Sequence, residues 1–215
     1  MSMKTRIATL SLLTLCCLML AVAPTMADTL YSNGPYNGTA DAWTINFGFA
    51  VSDSFTLPGN STITGLDFVY WDASTTDILT TVDMAVGSTS FGGTPQTLTG
   101  VTNTFLGTNP YGFALYEAGF TSVIVVWPFA EGYMTLSNAC TTSGCSVDTP
   151  IYWDENSGPS TAYENTIGSI PSEAFTLTGT TTTTIPSTTP EPSSIMLFGS
   201  GILGLAGVLR RKLTR

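Results

Sequence analysis

The stretch Ser61-Thr62-Ile63-Thr64-Gly65-Leu66-Asp67-Phe68-Val69-Tyr70-Trp71 decides the fold class of this chain. Leu66, Phe68 and Tyr70 recur at every second position, so an extended strand places all three side chains on one face. Similar period-two segments recur across 28–179, and no helical periodicity is sustained there. This part of the chain is therefore predicted to be all-β.

Further strands are predicted at 47–57, 78–86, 96–106, 112–127, 133–138, 150–153 and 173–178. Within the longest of them, Ser122-Val123-Ile124-Val125-Val126-Trp127 is apolar almost throughout, which favours a strand covered on both faces. Gly- and Pro-containing turns such as Leu57-Pro58-Gly59-Asn60 separate the segments. About eight short strands at this spacing predict a single β-sandwich, jelly-roll-like in type, with most aromatic side chains in its core.

The charge distribution excludes several functions. The chain has six basic residues and no histidine, and the cations are confined to its two ends, at Lys4, Arg6, Arg210, Arg211, Lys212 and Arg215. A domain over 28–179 without cations is not expected to bind nucleic acid, because such binding depends on cations that neutralise phosphates. Ser-His-Asp triads and His-ligated zinc sites are excluded as well.

Two regions of the chain carry cysteine. Cys16 and Cys17 lie in the N-terminal apolar segment, and no lipobox pattern surrounds them. Cys140 and Cys145 are separated by Thr-Thr-Ser-Gly and are predicted to form a local disulfide. The alternative, a metal site, has only two of the four soft ligands that it needs.

Residues 1–27 have the pattern of a signal peptide for Sec-type export. Lys4 and Arg6 form the basic region, an apolar region follows, and Thr25-Met26-Ala27 places small residues before a cleavage site at Asp28. An uncleaved anchor is the alternative. Export is consistent with the predicted disulfide.

The segment 190–215 has three parts: Pro190-Glu191-Pro192, an uncharged apolar run over 193–209, and a basic end over 210–215. The run, at about 17 residues, lies at the short end of the ~17–25 residues that a transmembrane helix needs. Snorkelling of the flanking cations extends its reach, and their charge predicts a cytoplasmic end. A buried core helix is the alternative.

In this order, the three parts closely resemble the PEP-CTERM sorting signal of Gram-negative, exopolysaccharide-producing bacteria. The resemblance covers about an eighth of the chain. It implies that an exosortase-type membrane protease recognises Pro190, Glu191 and Pro192 and processes the protein at the inner membrane. These three residues are then recognised by another enzyme and are not catalytic groups of this chain.

The Thr-rich segment 180–189 has too little apolar surface to fold and is predicted to be an extended linker, with O-glycosylation as a hypothesis. A second resemblance concerns the segment beginning Tyr152-Trp153-Asp154-Glu155-Asn156-Ser157-Gly158-Pro159-Ser160, which is similar to a stretch of uncharacterised PEP-CTERM β-proteins. It supports the fold and sorting predictions and implies no activity.

The densest polar and aromatic constellation is Trp153-Asp154-Glu155-Asn156, with a weaker counterpart at Tyr70-Trp71-Asp72. Exposed, Trp153 would stack on a sugar ring while its polar neighbours bind hydroxyl groups. The oxygen atoms of Asp154, Glu155 and Asn156 also suit Ca²⁺, and no other cofactor is expected. The alternative is structural: Trp153 ends a core strand and the polar triplet opens a turn.

The sequence therefore predicts an exported surface or extracellular-matrix structural protein without catalysis. It is expected to be anchored by its C-terminal helix before processing and to lie at the cell surface or outside the cell afterwards. A carbohydrate-binding module that engages exopolysaccharide is the alternative. A glycosidase ranks last, because it needs two carboxylates that flank one bond and the sequence does not single out such a pair.

Overall fold

The structure is a computed structural model that describes residues 27–145 and 149–181. These residues form fourteen β-strands, namely β1 (Asp28–Ser32), β2 (Ala42–Thr44), β3 (Ala50–Thr56), β4 (Ser61–Asp72), β5 (Leu79–Gly87), β6 (Gln96–Leu98), β7 (Thr102–Thr108), β8 (Ala114–Phe120), β9 (Val125–Trp127), β10 (Glu131–Thr141), β11 (Ile151–Asp154), β12 (Ala162–Glu164), β13 (Gly168–Ile170) and β14 (Phe175–Thr181). No helix within these two ranges is long and apolar enough to cross a membrane.

The strands form two antiparallel sheets. Six strands make one sheet in the order β13-β12-β3-β10-β5-β6. The other has eight strands and is built around β4. One edge of β4 pairs with β14 and β11, and β8 and β9 pair with it as well. Strand β1 extends this sheet beyond β14, β2 beyond β11, and β7 beyond β8. The all-β prediction is therefore confirmed.

One hydrophobic core joins the two sheets, as in a β-sandwich. Leu66, Phe68 and Tyr70 of β4 are all buried in it, as their alternation predicts. Phe55 of the six-stranded sheet packs edge-on against Trp127 of the eight-stranded sheet, with ring centroids 5.9 Å apart. The jelly-roll order of strands remains a prediction.

The prediction of one long strand over 112–127 is wrong. The structure has two strands here, β8 and β9, and β9 pairs with only the first three residues of β4, Ser61–Ile63. Ile124 and Val126 are 75% and 73% exposed, whereas Val123 is 1% exposed. The expectation that the apolar run is covered on both faces is therefore wrong as well, because the run buries alternate side chains only.

Cys140 and Cys145 are joined in a disulfide, which confirms the predicted pairing. The carboxylate of the neighbouring Asp77 holds the enclosed loop, accepting hydrogen bonds from the hydroxyl groups of Thr141 and Thr142 and from the backbone N–H of Ser143, at 2.7–2.9 Å. The disulfide therefore closes a hairpin that the hydrogen bonds to Asp77 also stabilise.

The ends of the domain meet in adjacent strands. Strand β1 begins at Asp28, the residue that follows the predicted signal-peptide cleavage site, and Asp28 pairs with Gly179 of β14. Strand β14 continues to Thr181, so it includes the first two residues of the segment predicted as a linker. The signal peptide up to residue 26, the rest of the linker, and the sorting segment 190–215 with its predicted transmembrane helix lie outside the described residues.

Candidate functional site

Trp153 is a core residue. Its side chain is fully buried, and its indole Nε1 donates a hydrogen bond to the carbonyl oxygen of Ala174 at 2.9 Å. The ring packs edge-on against Phe68 and Phe175, at centroid distances of 6.0 and 5.7 Å. Trp153 therefore has a structural role in the core, and no face of its indole is open to a sugar.

The carboxylate of Asp154 anchors a distant loop. Its Oδ2 accepts the backbone N–H of Asn37 and its Oδ1 that of Gly38, both at 2.8 Å, and Oδ1 also accepts the indole N–H of Trp71. Burial raises the pKa of Asp154, and these three donors partly offset the rise. Asp154 and Trp71 belong to the two constellations singled out in the sequence, and β4 and β11 bring them together.

Asn156 anchors the first half of the same loop. Its amide Nδ2 donates hydrogen bonds to the carbonyl oxygens of Asn33 and Pro35, at 2.8 and 3.2 Å. Its Oδ1 accepts the hydroxyl of Ser172 at 2.7 Å. Glu155 lies apart from these contacts and accepts the indole N–H of Trp43 at 3.2 Å. Asp154 and Asn156 therefore fix both halves of the loop over 33–38.

This loop presents Tyr36, whose side chain is 42% exposed, between two cavities. The first cavity, of about 300 Å³, lies over the outer face of the eight-stranded sheet and is lined by Asp67, Glu117 and Thr176 among others. The second, of about 520 Å³, lies between the loop and the segment 156–159. Both cavities are lined by Gly34, Pro35 and Tyr36, so the loop forms the wall that they share.

Asp67 and Glu117 supply the charge of the first cavity. They lie on the paired strands β4 and β8, where Asp67 is opposite Gly119 and Glu117 is opposite Val69. Partial burial, and then the negative charge of Glu117, raise the pKa of Asp67. The chain has no cation between Arg6 and Arg210, so neither carboxylate has a cationic side chain of the domain as its partner.

A second group of acids is buried in the core. Asp53 of β3 and Glu173, which precedes β14, are both fully buried, and neither lines the two cavities beside Tyr36. Both carboxylate oxygens of Glu173 and the Oδ1 of Asp53 have no hydrogen-bond partner. Burial raises the pKa of Asp53 to about 6, and burial together with the charge of Asp53 raises that of Glu173 well above its ordinary value.

Two of the three residues suggested for Ca²⁺, Asp154 and Asn156, use their side-chain oxygens elsewhere. Both carboxylate oxygens of Asp154 accept N–H donors, and the side-chain oxygen of Asn156 accepts the hydroxyl of Ser172. Among the described residues, no three His, Cys, Asp or Glu side chains converge as a metal site. The arrangement of these residues fits a polar anchor for the Tyr36 loop better than a coordination sphere.

A family model for the PEP-CTERM protein-sorting motif matches residues 188–212. The chain carries a PEP-CTERM sorting motif. The match includes Pro190, Glu191 and Pro192, together with the apolar run, and it confirms the resemblance seen in the sequence. The motif implies export, sorting by the exosortase system and processing of the C-terminal membrane anchor. No curated protein matches the chain.

Sequence reasoning did not identify the Tyr36 loop as a candidate site. The available signal was the segment Asn33-Gly34-Pro35-Tyr36-Asn37-Gly38, in which an aromatic residue is surrounded by residues that favour turns. That pattern marks an aromatic side chain on a turn, where solvent exposure is common. Its connection to Asp154 was not visible, because the two segments are 116 or more residues apart along the chain.

Proposed function

We propose that this protein is an exported structural component of the cell surface or extracellular matrix, sorted through its PEP-CTERM motif and without catalytic activity of its own. The observation that carries the proposal is the sorting motif at 188–212, which follows a compact β-domain. The chain is exported by the Sec machinery, held in the inner membrane by the run over 193–209, and then processed by an exosortase-type protease.

The composition of the domain supports an extracellular structural role. It carries a disulfide, which persists in oxidising compartments. It has acidic side chains and no basic ones over 28–181, so it repels phosphate-rich partners. The fully buried acids Asp53 and Glu173 do not line the cavities beside Tyr36, which argues against their use as a catalytic pair.

The test is the intact mass and location of the protein in cells with and without their exosortase. We expect competent cells to yield, outside the inner membrane, a species that lacks both 1–27 and the segment after the Pro-Glu-Pro motif. A variant with Pro190, Glu191 and Pro192 all changed to Ala is expected to keep its tail and stay in the membrane. The matched control replaces Thr182, Thr183 and Thr184 with Ala in the Thr-rich segment and is expected to be processed normally.

The same experiment has a clear contrary result. If the tail persists equally in both strains, the run over 193–209 is a plain membrane anchor and the sorting proposal is wrong. If processing occurs but the product is found in the periplasm only, the surface or matrix location is wrong while exosortase processing stands.

The second candidate function is a carbohydrate-binding module that engages exopolysaccharide. The observation that favours it is the exposed ring of Tyr36 beside two cavities with carboxylate and hydroxyl groups in their walls. This candidate site differs from the one predicted at Trp153, because the ring of Trp153 is buried in the core. Hydrolysis of a glycan panel by the purified protein would contradict both candidates, since neither includes catalysis.

A further inference from the structure

We propose that Tyr36 is the stacking platform of a binding site for a neutral polysaccharide, whose chain crosses the Gly34-Pro35-Tyr36 wall between the two cavities. This inference rests on the second candidate function and adds the site and the ligand class. Neither the sorting motif nor the sequence constellation around Trp153 assigns a role to Tyr36.

The ring and the cavities have the form that an extended ligand needs. Tyrosine offers a broad apolar face with a polar tip, which suits the mixed apolar and hydroxyl surface of a sugar ring. Because the cavities of about 300 and 520 Å³ share Tyr36 as a wall, a ligand stacked on the ring has room on either side. A single small molecule would use one cavity, whereas a polymer can use both.

The loop is fixed before any ligand arrives. Asp154 holds the backbone of Asn37 and Gly38, and Asn156 holds the carbonyl groups of Asn33 and Pro35. Gly38 has φ of +68°, and a Cβ there would lie 2.9 Å from the side chain of Leu115, so the backbone at this point favours glycine. A pre-organised loop lowers the entropic cost of binding, because its conformation does not have to be selected by the ligand.

The charges of the site select against anionic polysaccharides. Asp67 and Glu117 line the first cavity, and the domain has no cation to balance a uronate, sulfate or phosphate group. A neutral sugar presents hydroxyl donors instead, and hydrogen bonds from hydroxyl groups to carboxylates are among the stronger ones. Thr176 and Ser32 add hydroxyl groups to the same wall. The chemistry of the walls therefore points to a hydroxyl-rich, uncharged chain.

The test is affinity electrophoresis of the purified full-length protein in mild detergent. The native gels contain, one at a time, dextran, a β-1,3-glucan, a galactomannan, alginate or chitosan. We expect retardation in at least one neutral polysaccharide and none in alginate. Tyr36→Ala is expected to weaken the interaction about tenfold. Phe129→Ala, which removes an aromatic side chain that is 57% exposed elsewhere on the domain, is expected to leave it unchanged.

A second pair of variants separates recognition from general charge. Glu117→Gln is expected to weaken retention, whereas Glu131→Gln, at an exposed position of β10, is not. Circular dichroism and the melting temperature of each variant exclude unfolding as the cause. The proposal is overturned if no neutral polysaccharide retards the protein, if chitosan alone does so, or if Tyr36→Ala binds as well as the parent protein.

Failure of this proposal is distinguishable from failure of the sorting proposal. Binding is measured on purified protein and does not depend on the exosortase, whereas sorting is measured as mass and location in cells. A protein that is processed correctly but binds no neutral polysaccharide keeps the structural role and loses the site at Tyr36.

Discussion

The carboxylate Oδ2 of Asp53 accepts a hydrogen bond from the backbone N–H of Glu173 at 2.7 Å. This bond joins β3 of the six-stranded sheet to the residues that lead into β14 of the eight-stranded sheet. The amide of Asn33 strengthens the junction, since it donates to the same Oδ2 and to the carbonyl oxygen of Glu173. The Glu173 side chain gains nothing from these contacts, because both of its carboxylate oxygens are buried without a partner. The hydrogen bonds to the backbone of Glu173 therefore stabilise the junction, whereas burial of the unpartnered Glu173 carboxylate destabilises it.

The first prediction concerns Glu173→Gln and pH. The pKa values of Asp53 and Glu173 are higher in the folded state than in the unfolded chain. Protonation of these two carboxyl groups therefore contributes its full stabilisation of the fold below about pH 4. It is lost as the pH rises through about 6 for Asp53 and through higher values for Glu173. Glu173→Gln cannot acquire this buried charge, so its free energy of unfolding is expected to fall less than that of the parent protein as the pH rises from 4 to 8.

Urea denaturation at pH 4 and pH 8 measures this effect. Glu131→Gln, at an exposed position, is the matched control and is expected to change stability by less than about 0.5 kcal/mol at either pH. Equal destabilisation by Glu173→Gln at both values would show that its carboxylate has a favourable partner.

The second prediction concerns Asp154. Replacement by Ala leaves the N–H groups of Asn37, Gly38 and Trp71 without their acceptor, at about 1–3 kcal/mol for each buried donor. We expect a loss of at least roughly 3 kcal/mol in the free energy of unfolding. Hydrogen exchange at Asn37 and Gly38 is expected to accelerate more than exchange in β10. Uniform acceleration across the domain would contradict a local role as the loop anchor.

The third prediction compares two tryptophans. Trp153→Ala removes a fully buried ring and is expected to cost about 3–5 kcal/mol. Trp43→Ala removes a partly buried ring on the neighbouring strand β2 and is expected to cost under roughly 2 kcal/mol. Chemical denaturation of both variants gives the comparison. Equal costs would mean that Trp153 is less tightly packed than the structure indicates.

The fourth prediction tests the orientation of β9 and the segment before it. Val123→Ala removes a buried side chain and is expected to cost roughly 2 kcal/mol. Val126→Ala, in the same apolar run, is expected to change stability by less than about 0.5 kcal/mol, because its side chain is 73% exposed. A large loss from Val126→Ala would mean that another surface covers this strand in solution.

Short-range patterns predicted much of the fold correctly. Leu66, Phe68 and Tyr70 share a buried face because the side chains of any extended strand alternate. The four short strands β1, β2, β12 and β13 escaped prediction, because three to five residues are too few for a period to stand out. The prediction for the apolar run 122–127 was wrong for a different reason: composition alone does not say whether both faces of a strand are covered.

The candidate site was less accessible to prediction. Trp153, Asp154 and Asn156 stood out because aromatic and polar residues are adjacent there, a pattern shared by binding sites and by buried anchors. Burial distinguishes the two, and burial depends on strands that are distant in sequence. Tyr36 did not stand out, because a single aromatic residue in a turn has no local feature that indicates a neighbouring cavity.

By itself, the sequence determined the all-β class, the Cys140–Cys145 pair, the absence of cations over 28–181 and the sorting motif at 188–212. Each of these depends on composition, on spacing or on residues that are contiguous along the chain. The tertiary structure alone decided that Asp154 anchors the loop of Tyr36 and that Asp53 meets Glu173 in the core. Those contacts join residues more than 100 positions apart, and only the pairing and stacking of the two sheets bring them together.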